Sequence, residues 1–271
     1  MSSQTEVELG NIQKTLLLPL WGRAAETKKE HPLLVDNTAV EIVNKLNYDF
    51  STISENVHIL TKTAWISRSI ITDRVIKRFM EKHPSAAIVN IGCGMDTTFE
   101  RVDNGTILWY DLDMPDVISL RRNFIPETNR RKFISSSFLN EEWLNQVTVK
   151  DNVFFAACGV FYYFNENEVK DFFIRLADKF PGCEILFDVS SPTGVRAANK
   201  KVIEAGGMDE KSYLKWGLEN PSVIAGWDNR ISIFNKYSFF KDVSGLPFKI
   251  RLGGFFSDML KIMYMLHLKI S

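Results

Sequence analysis

At 271 residues, 45% of them hydrophobic, the chain is long enough for one large α/β domain carrying additions. Lys plus Arg and Asp plus Glu both total 33, so no global charge draws it to nucleic acid or to an anionic membrane. Cys93, Cys158 and Cys183 are too few and too scattered for a disulfide framework or a C-x-x-C metal site, and they read as reduced core residues.

Met1 to Glu8 carries acids where a signal peptide needs bases, and no apolar run approaches a membrane span, so a cytoplasmic protein is expected. Residues 10–60 show no strand periodicity. Within them, Leu33 to Leu46 places Val35, Ala39, Ile42, Val43 and Leu46 on one helical face, which predicts a helical cap over the main sheet. A longer helix is expected to begin near Thr61 or Thr63 and to run through Phe79, with Ile71, Val75 and Phe79 spaced four apart and Arg68 along it.

The chain is organised around the next stretch. Ala86 to Ile91 reads as a buried strand that opens into Gly92-Cys93-Gly94, where residues without a Cβ allow positive φ and close approach of a ligand. A second strand, Ile107 to Asp113, ends in carboxylates, with Asp111 standing 19 and Asp113 standing 21 positions after Gly92. In a βαβ nucleotide site an acid about 20 residues past the glycine loop accepts hydrogen bonds from ribose hydroxyls. Thr97 stands where the dinucleotide fingerprint needs its third glycine, which disfavours a pyrophosphate loop.

Further along, Met114 to Arg122 predicts a helix with Pro115 in its first turn. Lys132 to Phe138 predicts a third strand, and a helix is expected from Asn140. The apolar run Val153 to Phe164 reads as a central strand buried on both faces. A helix capped by Asn165 should run to Phe180, ahead of a fifth strand at Glu184 to Ser190. Residues 191–240 break the alternation with two helical pieces and a Gly206-Gly207 hinge, and they suit an insertion over the strand ends that selects a substrate. Arg196 and Arg230 in that insertion could pair with an acceptor carboxylate. Phe248 to Leu252 and Ile262 to Leu268 are strand candidates for an antiparallel edge hairpin, separated by Gly253-Gly254 and a short turn or helix at Phe255 to Lys261.

The expected fold class is therefore α/β, a doubly wound, mostly parallel seven-stranded sheet with a helical N-terminal cap and an antiparallel C-terminal hairpin. The chain reads as one domain, divided into a cap (1–60), a cofactor-binding core (61–190), a lid (191–240) and closing strands (241–271).

Arg68 on its helix, Val89 to Thr98 around Gly-Cys-Gly, Asp111-Leu112-Asp113-Met114-Pro115 and Gly159 to Phe164 occur in an order that resembles S-adenosylmethionine-dependent methyltransferases of the leucine carboxyl methyltransferase group. The likeness is greatest to the bacterial branch typified by the tetracenomycin polyketide-synthesis O-methyltransferase. It implies a class I, Rossmann-like methyltransferase with S-adenosylmethionine as cofactor. By the resemblance, Arg68 meets the methionine carboxylate, a role suited to its donor fork. Gly92, Cys93 and Gly94 form the loop under methionine and ribose, and Asp113, with Asp111 as alternative or partner, holds the ribose. Ser137 and Phe138 take the adenine-contacting position, and Cys158 follows the fourth strand where the protein-modifying branch carries a glutamate.

Methyl transfer from a sulfonium is an in-line displacement that asks mainly for alignment and exclusion of water. A carboxylate acceptor is already ionised at neutral pH, whereas a phenol needs a base. The residues name no clear base, Tyr162 and Tyr163 being only weak catalytic candidates. The expectation is an O-methyltransferase acting on a small-molecule acceptor, a carboxylate or acidic phenol of polyketide type. The alternatives are a protein C-terminal carboxyl methyltransferase and a non-catalytic adenosyl-ligand binding protein. The acceptor's identity and the oligomeric state stay open at this level.

Overall fold

The computed structural model describes residues 5–6, 9–10, 12–149, 151–205 and 207–271. Seven strands form one sheet: β1 (Ala87–Ile91), β2 (Leu108–Asp113), β3 (Arg131–Ser135), β4 (Val153–Ala157), β5 (Glu184–Val189), β6 (Ile231–Ser238) and β7 (Tyr264–Ile270). Their spatial order is β3-β2-β1-β4-β5-β7-β6, with every neighbouring pair from β3 through to β5 parallel and β7 antiparallel to both its neighbours. This is the expected fold class.

Continuous apolar strands at the centre follow from coverage on both faces. On one face, Ile88, Phe154, Ala156 and Leu186 meet Ile71, Val75 and Phe79 of the helix α4 (Ile59–Lys82). On the other, Val89, Phe155 and Phe187 pack with Phe172, Phe173 and Leu176 of α7 (Glu166–Lys179). The period-2 alternation of β1, β4 and β5 thus feeds two separate cores. Asn165 and Glu168 close a capping box at the start of α7, as the cap residue predicted. The helix α4 is longer than expected at both ends, and its cap is His58, whose Nδ1 accepts the Leu60 N–H at 3.2 Å.

The N-terminal helices α1 (Leu17–Thr27) and α2 (Asn37–Lys45) cover the glycine-loop end of the sheet, where Leu17, Leu20, Ala39 and Ile42 pack with Cys93 and Met95. Val35, assigned to that apolar face, precedes the helix and is exposed, because Asp36 takes the cap position. The short helix α3 (Ser51–Asn56) leads into α4.

Several boundaries differ from expectation. The run from Val153 stops as a strand at Ala157, since Gly159 turns with φ +85° and Phe161–Tyr163 forms a single 3-10 turn. The third strand ends at Ser135, and the helix expected from Asn140 is one 3-10 turn, Glu142–Asn145. After α5 (Thr98–Val102) and α6 (Pro115–Arg122), the expected lid holds α8 (Pro192–Ala198), a π-helical turn Asn199–Glu204, α9 (Ser222–Ala225) and the whole of β6. Gly206 lies outside the described residues, as does most of Met1 to Glu8.

The edge pair is therefore β6 with β7. Phe248 to Leu252 is not a strand; it opens the helix α10 (Phe248–Met259). Apolar residues at 248, 252, 255, 256 and 259 follow the helical period, and the Gly253-Gly254 pair, expected to separate two strands, instead lies inside the helix and seats it closely on Leu60 and Phe240. Among the described residues no helix is long and apolar enough to cross a membrane.

Candidate functional site

In a parallel sheet the carboxyl ends of the strands face one edge, and ligands bind there. The loop after β1, Asp113 at the end of β2, Ser136 and Ser137 after β3 and Cys158 after β4 all line one cavity of about 1050 Å³ at that edge.

The glycine loop is shaped by backbone need. Gly92 and Gly94 sit at φ +60° and +46°, and a Cβ on Gly92 would stand 2.5 Å from Val160 Cγ2. The loop is held from behind by buried guanidiniums. Arg121 donates through Nη1 to the Gly94 carbonyl and through Nη2 to the Asp96 carbonyl, both at 2.8 Å, and Arg23 Nη2 donates to the Met95 carbonyl at 2.9 Å. In front, the Gly94 N–H donates to Asp113 Oδ2 and the Met114 N–H to Asp113 Oδ1, each at 2.7 Å. Burial nonetheless pushes the Asp113 carboxyl up to about 6 against those two donors.

Asp111 is a different case and corrects the sequence reading. It is fully buried, does not line the cavity, and is consumed by Arg121 Nη2 at 3.0 Å, Arg131 Nε at 2.7 Å, Trp109 Nε1 and Asn90 Nδ2. Two residues of strand rise separate it from Asp113, enough to place it beneath the loop and leave Asp113 at the cavity rim.

Arg68 comes from the middle of α4. Burial opposes its charge, but Asp188, with Nη1 to Oδ2 at 2.8 Å, outweighs that and holds the guanidinium above its ordinary range. Asp188 also accepts the Gly159 N–H at 2.6 Å, so one carboxylate near the end of β5 fixes both the arginine and the loop after β4. A Cβ on Gly159 would lie 3.1 Å from Arg68 Nη1 and 3.3 Å from the Tyr162 hydroxyl. Cys158 faces the same space, its Sγ 3.3 Å from Thr72 Oγ1, and burial pushes its thiol up to about 12.

Ser137 lines the cavity and accepts the Leu139 N–H at 3.3 Å, while Phe138 is wedged edge-on against Phe164 and Phe172. Tyr162 and Tyr163 also line it. Burial raises both phenols, Tyr163 to about 12 and Tyr162 well above its ordinary value, and the Tyr163 hydroxyl donates to Thr15 Oγ1 at 3.1 Å. The far wall is apolar: Leu18, Trp65, Ile203, Leu214 and Met263. Neither lid arginine reaches the cavity. Arg230 is paired with Asp228 and Asp178, and Arg196 Nη2 bonds Thr193 Oγ1.

Of the nine residues assigned to the cofactor, the structure brings eight to one cavity and leaves out Asp111. It also adds residues that the sequence reading passed over. Asp188 pairs with the cavity-lining Arg68 without lining the cavity itself, and a carboxylate inside an otherwise apolar strand is a signal of a buried partner. Asp96 lines the cavity; burial would raise its carboxyl, but Arg23 and Arg101 hold it down at about 2.

The leucine carboxyl methyltransferase family profile matches residues 17–177. The tetracenomycin polyketide synthesis O-methyltransferase TcmP of Streptomyces glaucescens is 31% identical over 223 residues, 79% of this chain and 78% of that protein. Among solved structures, a putative methyltransferase from Thermobifida fusca superposes with a TM-score of 0.59 at 14% identity, covering 92% of this chain and 94% of its own. The magnesium protoporphyrin IX methyltransferase of Synechocystis, solved with bound S-adenosylhomocysteine, gives 0.50 at 13% identity over 79% and 89%. At those identities the two structures speak for the fold.

Proposed function

The chain belongs to the leucine carboxyl methyltransferase family and is an S-adenosylmethionine-dependent methyltransferase, and from that premise we propose that it methylates an oxygen of a small-molecule acceptor. The observation that carries this reading is the cavity itself. At about 1050 Å³ it matches the upper end of ordinary ligand pockets, roughly 300–1,000 Å³, and runs from the Asp113 rim to the apolar wall of Trp65, Ile203 and Leu214. A nucleoside-type cofactor at the polar end leaves apolar space for a compact acceptor.

The donor set fits the cofactor. Asp113 would accept from the ribose hydroxyls, Arg68 would meet the methionine carboxylate, the Gly92-Cys93-Gly94 backbone would lie beneath, and Ser137 and Phe138 would flank the adenine. S-adenosylmethionine supplies an electrophilic methyl group. The chain's own contribution is to orient, to exclude water and to keep the acceptor in line. Cys158, Tyr162 and Tyr163 are all raised by burial, so they stay protonated at neutral pH and do not take the acceptor's proton. On this reading the acceptor arrives ionised, as a carboxylate or an acidic phenol, of the polyketide kind that the relative's name records. The chain works as a single domain in the cytoplasm, with the N-terminal cap and residues 191–240 bounding the acceptor end.

The test is S-adenosylhomocysteine release over an acceptor panel of aromatic carboxylates, acidic phenols, neutral alcohols and peptides with a free C-terminus. Turnover of the first two classes is expected. Turnover of the peptides alone would overturn the small-molecule reading.

A further inference from the structure

The helix α10 carries an apolar stripe that nothing among the described residues covers. Phe248, Leu252, Phe255, Phe256 and Met259, with Leu260 at its end, are 55–77% exposed. The helix is not loosely attached. A Cβ on Gly254 would meet Phe240 Cγ at 2.1 Å and one on Gly253 would meet Leu60 Cδ1 at 3.3 Å, so the glycine face is pressed against the body. Asp258 anchors the same side, accepting the N–H groups of Phe240 at 3.2 Å and Lys241 at 2.9 Å. The stripe is thereby aimed outward by a fixed helix.

We infer that this stripe is the two-fold interface of a homodimer. At ~200 Å² for a large apolar side chain, the six exposed fractions leave roughly 700 Å² free per chain, beyond the 300–600 Å² patches of ordinary monomers and close to the ~800 Å² a stable interface buries on each side. The spacing is also self-complementary. Leu252, Phe255, Phe256 and Met259 read 3-1-3 in either direction, so antiparallel pairing about the Phe255-Phe256 midpoint sets Leu252 opposite Met259 and Phe255 opposite Phe256 of a second copy. An isologous contact requires that reciprocity. The exposed Lys249 and Arg251 stand beside the stripe as a charged rim.

Light scattering on the full chain at micromolar concentration is expected to give twice the 31.1 kDa chain mass. Phe255→Glu should halve that mass and leave cofactor affinity unchanged, while Phe234→Glu, exposed on β6 and outside the stripe, should leave the dimer intact. Should Phe255→Glu fail to fold, the double variant Leu252→Cys/Met259→Cys decides instead, since the pairing predicts a disulfide between protomers under oxidising conditions. A monomeric native chain, a dimer insensitive to Phe255→Glu, or a monomer that co-sediments with phosphatidylglycerol vesicles would each overturn the proposal.

Discussion

Arg68, which lines the cavity, and the buried Asp188, 120 positions apart in the chain, meet with Nη1 2.8 Å from Oδ2, and the same carboxylate holds the Gly159 N–H. Removing the acid strands a buried guanidinium, a loss of about 3–5 kcal/mol for pairs of this kind. Asp188→Ala should therefore lower the thermal midpoint and weaken S-adenosylmethionine binding at least tenfold. Asp188→Asn, which keeps an acceptor for Gly159, should lose less of both. Calorimetric unfolding and titration of the two variants check this ordering.

Asp113 should make cofactor binding depend on pH. Its carboxyl, raised by burial to about 6, must be ionised to accept from two hydroxyls, so affinity is expected to fall as pH drops through about 6. Stability runs the other way. A carboxyl whose folded pKa lies above its unfolded value favours the fold most at low pH, and that contribution is lost as pH rises from about 4 through 6. Asp113→Asn should abolish the pH dependence of affinity and bind the cofactor weakly throughout, as read by titration between pH 5 and 8.

Asp111→Asn should separate the two acids. Loss of its charge leaves the buried Arg121 without its carboxylate and Arg131 with Glu100 alone, at a cost of about 3 kcal/mol. Urea unfolding is expected to show that loss, while the folded fraction keeps cofactor affinity within a few-fold of the native value. A loss of affinity as large as that in Asp113→Asn would place Asp111 in the site after all.

Gly92→Ala combines left-handed strain with a collision at Val160, and should cost about 2–3 kcal/mol with loss of cofactor binding. Gly182→Ala, at φ +86° with open space around the Cβ, carries the strain alone, about 1–2 kcal/mol. Adding Val160→Ala to Gly92→Ala should recover the difference between them in a denaturant melt.

Much of this site was legible from local chemistry. The Gly92-Cys93-Gly94 turn is written in the sequence because an apolar strand that ends at residues without Cβ has few other uses. Asp113 was legible because the length of a βαβ unit fixes where the next strand ends. The partner of Asp188 was not, because Arg68 reaches that carboxylate only when α4 lies across the sheet. Arg121 was hidden for the same reason, its partners being the loop carbonyls 25 and 27 positions away and Asp111.

The sequence by itself determined the alternation of strand and helix, the glycine loop and the family, since periods of 2 and 3.6, turn chemistry and motif spacing act over a few to some twenty residues. Only the tertiary structure decided which of two acids, two positions apart, faces the cavity, because that turns on how far each stands beyond the buried arginines. It also decided that Phe248 to Met259 is a helix with an outward apolar face. A short apolar run packs equally well as strand or helix until Leu60 and Phe240 are in place to receive Gly253 and Gly254.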